Sequence, residues 1–189
     1  QRRPCYRCTL QTSFAGGLSL NGRASAIMLM GMTTQENIKQ LHATCIALGA
    51  DTPHGAQGVL LRGPSGAGKS DLALRLIDGG ALLVADDRVD VFIKGGVAFA
   101  RAPESIAGLM EVRGVGVVRL EHIADVRIAL CVDLVQPDAV TRLPEAETVK
   151  IAGVHIQRLA LDPFAASTPA KIRLALCSDP LDPDAMVSS

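Results

Sequence analysis

The run Gly63-Pro64-Ser65-Gly66-Ala67-Gly68-Lys69-Ser70 follows the pattern G-x-x-x-x-G-K-[ST], and residues of these types at this spacing grip nucleotide phosphates. The glycines let the backbone curl until several N–H groups face one concavity, and a helix starting near Lys69 adds the positive end of its dipole. Lys69 then reaches the β- and γ-phosphates, while the Ser70 hydroxyl ligates Mg²⁺. Phosphoryl transfer needs carboxylates as well, to handle metal and to position the attacking hydroxyl; Asp86-Asp87 offers two. On extended backbone they point to opposite sides, so one can serve metal or substrate while the other fixes the loop. The same pair would also suit a solvated turn beside Arg88 and Asp90. In a third group, Glu111 and Arg113 share one face if their segment is extended, with Gly114 and Gly116 permitting close backbone approach. An exposed ion pair ahead of a glycine bend fits that spacing equally. His42, His54, His122 and His155 lack metal-ligand spacing.

The elements around the cradle agree with it. Residues 58–62 form a short apolar run of buried-strand type, and Leu72, Ala73, Leu76 and Ile77 recur at helical spacing until Gly79-Gly80 stops the helix. Strands are expected at 41–48 and 59–62, joined by a polar connection through 49–57, and at 81–85, 89–94 and 97–101, the last two as a hairpin about Gly95-Gly96. The continuous apolar run 81–85 reads as a parallel strand covered on both faces, so Asp86-Asp87 falls at its carboxyl end, where open α/β sheets place their ligand crevices. Further strands are expected at 126–134, 148–151 and 154–161, with a closing helix at 169–176 capped by Ser167 or Thr168. The resulting fold class is α/β, a P-loop-containing core with a strand-rich mixed sheet and few helices.

Composition narrows the function. The chain has 189 residues, 48% of them hydrophobic, enough for one core of ordinary size. Equal numbers of basic and acidic side chains leave no formal net charge, which argues against a nucleic-acid partner or an anionic membrane surface. No apolar run reaches the roughly 18 residues of a membrane-spanning helix. The five cysteines have no framework spacing and suit a reducing cytoplasm. Cys5-Tyr6-Arg7-Cys8 is a lone CxxC without a second pair, and Cys45, Cys131 and Cys177 lie in apolar stretches as packing residues. Residues 1–31 carry Arg2, Arg3, Arg7 and Arg23 but no acid, and read as a disordered leader or upstream extension, with Met32 as the natural start. Residues 177–189 read as a flexible tail, which leaves 32–176 as the catalytic domain.

Three segments taken together, the octet continuing into Asp71, then Leu83-Val84-Ala85-Asp86-Asp87, then Glu111-Val112-Arg113-Gly114-Val115-Gly116, resemble the catalytic domain of bacterial HPr kinase/phosphorylase. The resemblance is strong from His42 to Val118 and weakens toward Leu176. It implies a cytoplasmic ATP-dependent serine kinase that acts on a small phosphocarrier protein of the sugar phosphotransferase system. It also implies a reverse reaction in which inorganic phosphate removes the phosphoryl group and pyrophosphate leaves. Carried over by position, Gly63, Pro64, Ser65, Gly66, Ala67, Gly68 and Lys69 would hold the ATP phosphates, and Ser70 with Glu111 would hold Mg²⁺. Asp87, or its neighbour Asp86, would take the serine proton going forward and return it in reverse, with Asp87 preferred by interval. His42 matches the family's catalytic-domain histidine, with His54 as a competitor, and Arg113 would lie near the transferred group.

Set beside the long family members, the chain is expected to be without a separate N-terminal domain and without their Gly-Arg-Asn loop and full C-terminal helices; it resembles the short, single-domain proteobacterial type. The family's late catalytic arginine is thus unassigned, with Arg173 and Arg158 as candidates. A hexamer is what the long forms imply for assembly. Two other readings compete. A P-loop kinase for a small metabolite would clamp phosphates with an arginine-rich lid, yet residues 136–147 offer only Arg142. A non-catalytic ATP-sensing module would have no need of the acidic pair.

Overall fold

The computed structural model describes residues 38–49 and 55–177. The leader, Met32, Cys5 and Cys8, His54 and all of the tail except Cys177 lie outside the described residues. Eleven strands and two α-helices follow in order: β1 (Lys39–His42), β2 (Thr44–Leu48), β3 (Gln57–Arg62), α1 (Lys69–Asp78), β4 (Leu82–Ala85), β5 (Arg88–Lys94), β6 (Val97–Arg101), β7 (Leu109–Val112), β8 (Gly116–Arg119), β9 (Val126–Leu134), β10 (Glu147–Ile151), β11 (Val154–Leu161) and α2 (Thr168–Cys177). Nine strands share one mixed sheet, in which β1-β5-β6-β9-β3-β2-β4 lie side by side and β11, with β10 outside it, pairs along β9; β7 and β8 form a separate hairpin. The pairs β3/β9 and β9/β11 are parallel and the others antiparallel. This is the expected strand-rich mixed sheet with few helices.

Residue alternation decides which face each strand buries. In β2, Cys45 and Ala47 belong to one core while Ile46 and Leu48 belong to the other; in β3, Leu60 faces the first core and Val59 and Leu61 the second. The second core takes the apolar stripe of α1, whose Leu72, Ala73 and Leu76 are fully buried, together with Ile172 of α2. Burial of each such leucine or isoleucine contributes about 1.5–3 kcal/mol, so the stripe pins the helix that carries Lys69 and Ser70. The other core is built from strands and their links, from Ala43 to Ile156.

Two expectations about strands require correction. Residues 41–48 are not one strand: the ladder breaks at Ala43 because β1 pairs with β5 whereas β2 pairs with β3 and β4. Nor does β4 lie in a parallel ladder, its parallel contact being a single bridge from Leu83 to His122. It pairs antiparallel with β2, which is itself antiparallel to β3. Two reversals restore direction, so β4 runs the same way as β3, and the acidic pair after β4 emerges at the same end of the sheet as the octet after β3.

Candidate active site

Glycine conformation opens the site. Gly68 caps α1 with φ 84°, and Gly66 sits at φ 80°, a left-handed region that costs a side-chain-bearing residue roughly 1–2 kcal/mol. No side chain caps the helix, and its first internal bond is from Leu72 N–H to the Gly68 carbonyl. The amides of the first turn are therefore placed as anion donors at the positive end of the helix. Lys69, only 7% exposed, folds back over the loop, and its Nζ donates to the carbonyls of Gly63 and Pro64 at 2.9 Å each.

Strand register brings the second half of the site to the first. His42 pairs with Arg88 across β1 and β5, and Cys45 pairs with Ala85 across β2 and β4. Both chains turn between these two pairings, so the corner 42–44 faces the corner 86–87. Thr44, fully buried, donates its hydroxyl to Asp86 Oδ1 at 2.8 Å, and the Ser70 hydroxyl donates to the same oxygen at 2.9 Å. Asp86 is thereby fixed beside the serine of the octet with 7% of its surface exposed. Asp87 lines the same cleft but is open to solvent, its side chain 67% exposed. Its backbone lies at φ 65°, strained for most residues but tolerated by aspartate. His42 Nδ1 lies 3.0 Å from Asp87 Oδ1 and 3.1 Å from the Asp87 carbonyl, while Nε2 lies 3.4 Å from Lys69 Nζ. That network assigns the proton to Nδ1 and leaves the Nε2 lone pair toward the ammonium.

One cleft of about 450 Å³ takes in His42, Lys69, Ser70, Asp86, Asp87, Glu111 and Arg113. The seven residues the family resemblance carries over as catalytic or metal-binding therefore border a single cavity, as do Ser65, Gly66 and Gly68 of the octet; Gly63, Pro64 and Ala67 are not among its lining residues, though the Gly63 and Pro64 carbonyls hold Lys69. Glu111 and Arg113 arrive on β7 and its turn, where Gly114 and Gly116 take φ 83° and 118°. Among the described residues no group of three His, Cys, Asp or Glu could hold a metal by itself. The oxygen donors Ser70, Asp86 and Glu111 do fit Mg²⁺, which commonly takes one or two protein oxygens and completes its shell with water and substrate phosphates.

The two arginines considered for the late position lie elsewhere. Arg158 Nε donates to Asp133 at 2.6 Å, and its guanidinium also pairs with Glu147, while Asp133 accepts a second fork from Arg62 at 2.7 and 2.9 Å. These carboxylates hold the Arg158 pKa above its ordinary value, chiefly through the hydrogen bond it donates to Asp133. Arg173 donates to the carbonyls of Leu76 and Gly79 and so ties α2 to the end of α1. Neither lines the cleft. Three lining residues had escaped the sequence reading: Thr44, Leu74 and Phe164. Only Thr44 carried a signal, as a hydroxyl at the head of an otherwise apolar strand.

A family model described as the HPr serine kinase C-terminal domain matches residues 39–172. The HPr kinase/phosphorylase of Streptococcus thermophilus is 33% identical over 165 residues, 80% of this chain and 53% of that protein. That of Burkholderia cenocepacia is 41% identical over 116 residues, 55% of this chain and 36% of the relative. The chain thus spans about half the length, or less, of these curated relatives. Among solved structures, the HPr(Ser) kinase/phosphatase from Coxiella burnetii shares the fold, with a TM-score of 0.63 and 22% identity over 74% of this chain and 88% of that one.

Proposed function

This chain belongs to the HPr serine kinase C-terminal domain family, and from that premise we propose that it transfers the γ-phosphoryl group of ATP to a serine of a small HPr-like phosphocarrier protein in the cytoplasm. The observation that carries this reading is the joining of two half-sites. Lys69 and Ser70 of the phosphate loop are linked to Asp86 and, through His42, to Asp87.

In the forward direction the β- and γ-phosphates lie on the first-turn amides of α1, and Lys69 exchanges its loop carbonyls for phosphate oxygens. The acceptor serine presents its hydroxyl to Asp87, which takes the proton as the serine oxygen bonds to the γ-phosphorus and the bond to the β-phosphate oxygen breaks. His42 orients Asp87, and Arg113 offsets the charge that develops on the transferred group. Ser70 and Glu111, with Asp86 behind Ser70, would hold Mg²⁺, which would neutralise charge at the phosphates. In reverse, a phosphate oxygen attacks the phosphoserine, protonated Asp87 returns its proton to the departing serine oxygen, and pyrophosphate is the product. The family's implied assembly, a homo-oligomer, belongs to the same reading.

The test is mass spectrometry of the host's HPr-like protein after incubation with the full chain, ATP and Mg²⁺. Gain of one phosphoryl group on a serine is expected. An unmodified carrier, with phosphate appearing instead on a free sugar offered in the same mixture, would overturn the reading in favour of a metabolite kinase.

A further inference from the structure

Of the large apolar side chains that stand exposed among the described residues, Phe164, 68% exposed, is the one that lines the cleft. It belongs to neither buried core, yet its position is tightly determined. Its own N–H donates to Asp162 Oδ1 at 2.9 Å, and Thr168, fully buried, donates its hydroxyl to the Asp162 carbonyl at 2.6 Å. The preceding carbonyl, of Pro163, accepts from the guanidinium of Arg75 on α1, which also holds Asp71 of the helix's first turn. The loop is thus bolted to the phosphate-binding helix itself. The ring lies against Gly68 so closely that a Cβ on that glycine would meet Cζ at 3.0 Å and Cε1 at 3.2 Å.

Core packing does not explain a solvent-exposed aromatic ring carried beside a phosphate loop on a segment whose backbone is fixed by three hydrogen bonds. The cleft is also chemically divided. Lys69, Asp86, Asp87, Glu111 and Arg113 give it a charged part, suited to phosphates and an attacking hydroxyl, whereas Leu74, one turn along α1 from Ser70, and Phe164 give it an apolar part. A triphosphate alone makes no use of the second part. We propose that Phe164 is the platform on which the base of the bound nucleotide stacks, with Leu74 flanking it; this rests on the reading of the cleft as a nucleoside-triphosphate site. Because the ring is already in place, stacking requires little further ordering of the protein.

The chain contains no tryptophan, so Phe164→Trp installs a single emitter at the platform. Titrating that variant with ATP and Mg²⁺ should change its emission, whereas pyrophosphate and Mg²⁺, which lack a base, should leave it close to the free value. In parallel, Phe164→Ala should weaken ATP by about 10- to 100-fold, the usual worth of one stacked base, and leave pyrophosphate affinity within about twofold. Wild-type affinity of Phe164→Ala for ATP, equal losses for ATP and pyrophosphate, or a Trp signal that pyrophosphate reproduces would each overturn the platform. If the wild-type chain binds neither ligand, the nucleotide reading falls and the platform with it; if it binds both but the variants behave as just described, only the platform falls.

Discussion

Replacing Thr44 by valine removes one hydroxyl from the buried junction of the site while preserving side-chain shape. The hydroxyl donates to Asp86 Oδ1 at 2.8 Å, with Thr44 fully buried and Asp86 7% exposed. Hydrogen bonds to a charged partner contribute about 1.5–3 kcal/mol. The same oxygen keeps the Ser70 hydroxyl at 2.9 Å, so the carboxylate is not orphaned and the cost falls at or just below the lower end of that range, about 1–2 kcal/mol. For a domain of this size that is a fall in melting temperature of about 2–8 °C, measurable by calorimetry. A double-mutant cycle with Asp86→Ala isolates the bond and should give a coupling of about 1–2 kcal/mol. Function should respond in a particular way: an Asp86 freed to swing supports Ser70 less well, so KM for ATP with Mg²⁺ rises more than kcat falls. Additive effects in the cycle, with a coupling near zero, would refute the reasoning that Thr44 holds Asp86 in place.

Alkaline pH should weaken the fold through the buried thiols. Burial pushes the Cys131 pKa from 9.0 up to about 11, and burial raises that of Cys45 as well. The folded state therefore retains a proton that the unfolded state releases; the stabilisation is intact below pH 9 and declines as pH rises toward 11, by a few kcal/mol at most (about 3) for Cys131. Denaturant titrations of wild type and Cys131→Ala across that interval should show the shallower decline in the variant, and identical slopes would contradict the assignment. Arg158→Ala should lower stability by about 1 kcal/mol, since Asp133 keeps its fork from Arg62 and partly exposed pairs contribute little. Its transfer rate should stay near wild type; a loss of kcat of about a hundredfold or more would restore Arg158 to the chemistry.

What the sequence made legible was local. The octet and the helix after it are contiguous, and the period of Leu72, Ala73 and Leu76 names both the element and its buried face. Asp86-Asp87 follows a strand directly, so its end of the sheet could be read as well. The contacts that complete the cleft depend instead on register between strands far apart in the chain. Nothing near Thr44 in sequence announces Asp86, and His42 entered only through family resemblance. The antiparallel β2 lying beside β4 was likewise illegible, because the apolar run 81–85 suits any strand covered on both faces. Arg158 and Arg173 entered only as candidates for the family's late arginine, whereas their partners, two carboxylates and two carbonyls, make them structural ties.

Asp87 as the acceptor of the serine proton, at a site that grips a triphosphate through Lys69, is the central proposal. Its most direct test is single-turnover transfer of labelled γ-phosphate to the HPr-like carrier, with ATP affinity measured on the same preparations of wild type, Asp87→Asn and Lys69→Ala. Asp87→Asn should bind ATP within about threefold of wild type and transfer at least about 100-fold more slowly, the range for loss of a general base, while Lys69→Ala should fail to bind. Transfer by Asp87→Asn at the wild-type rate would contradict the account.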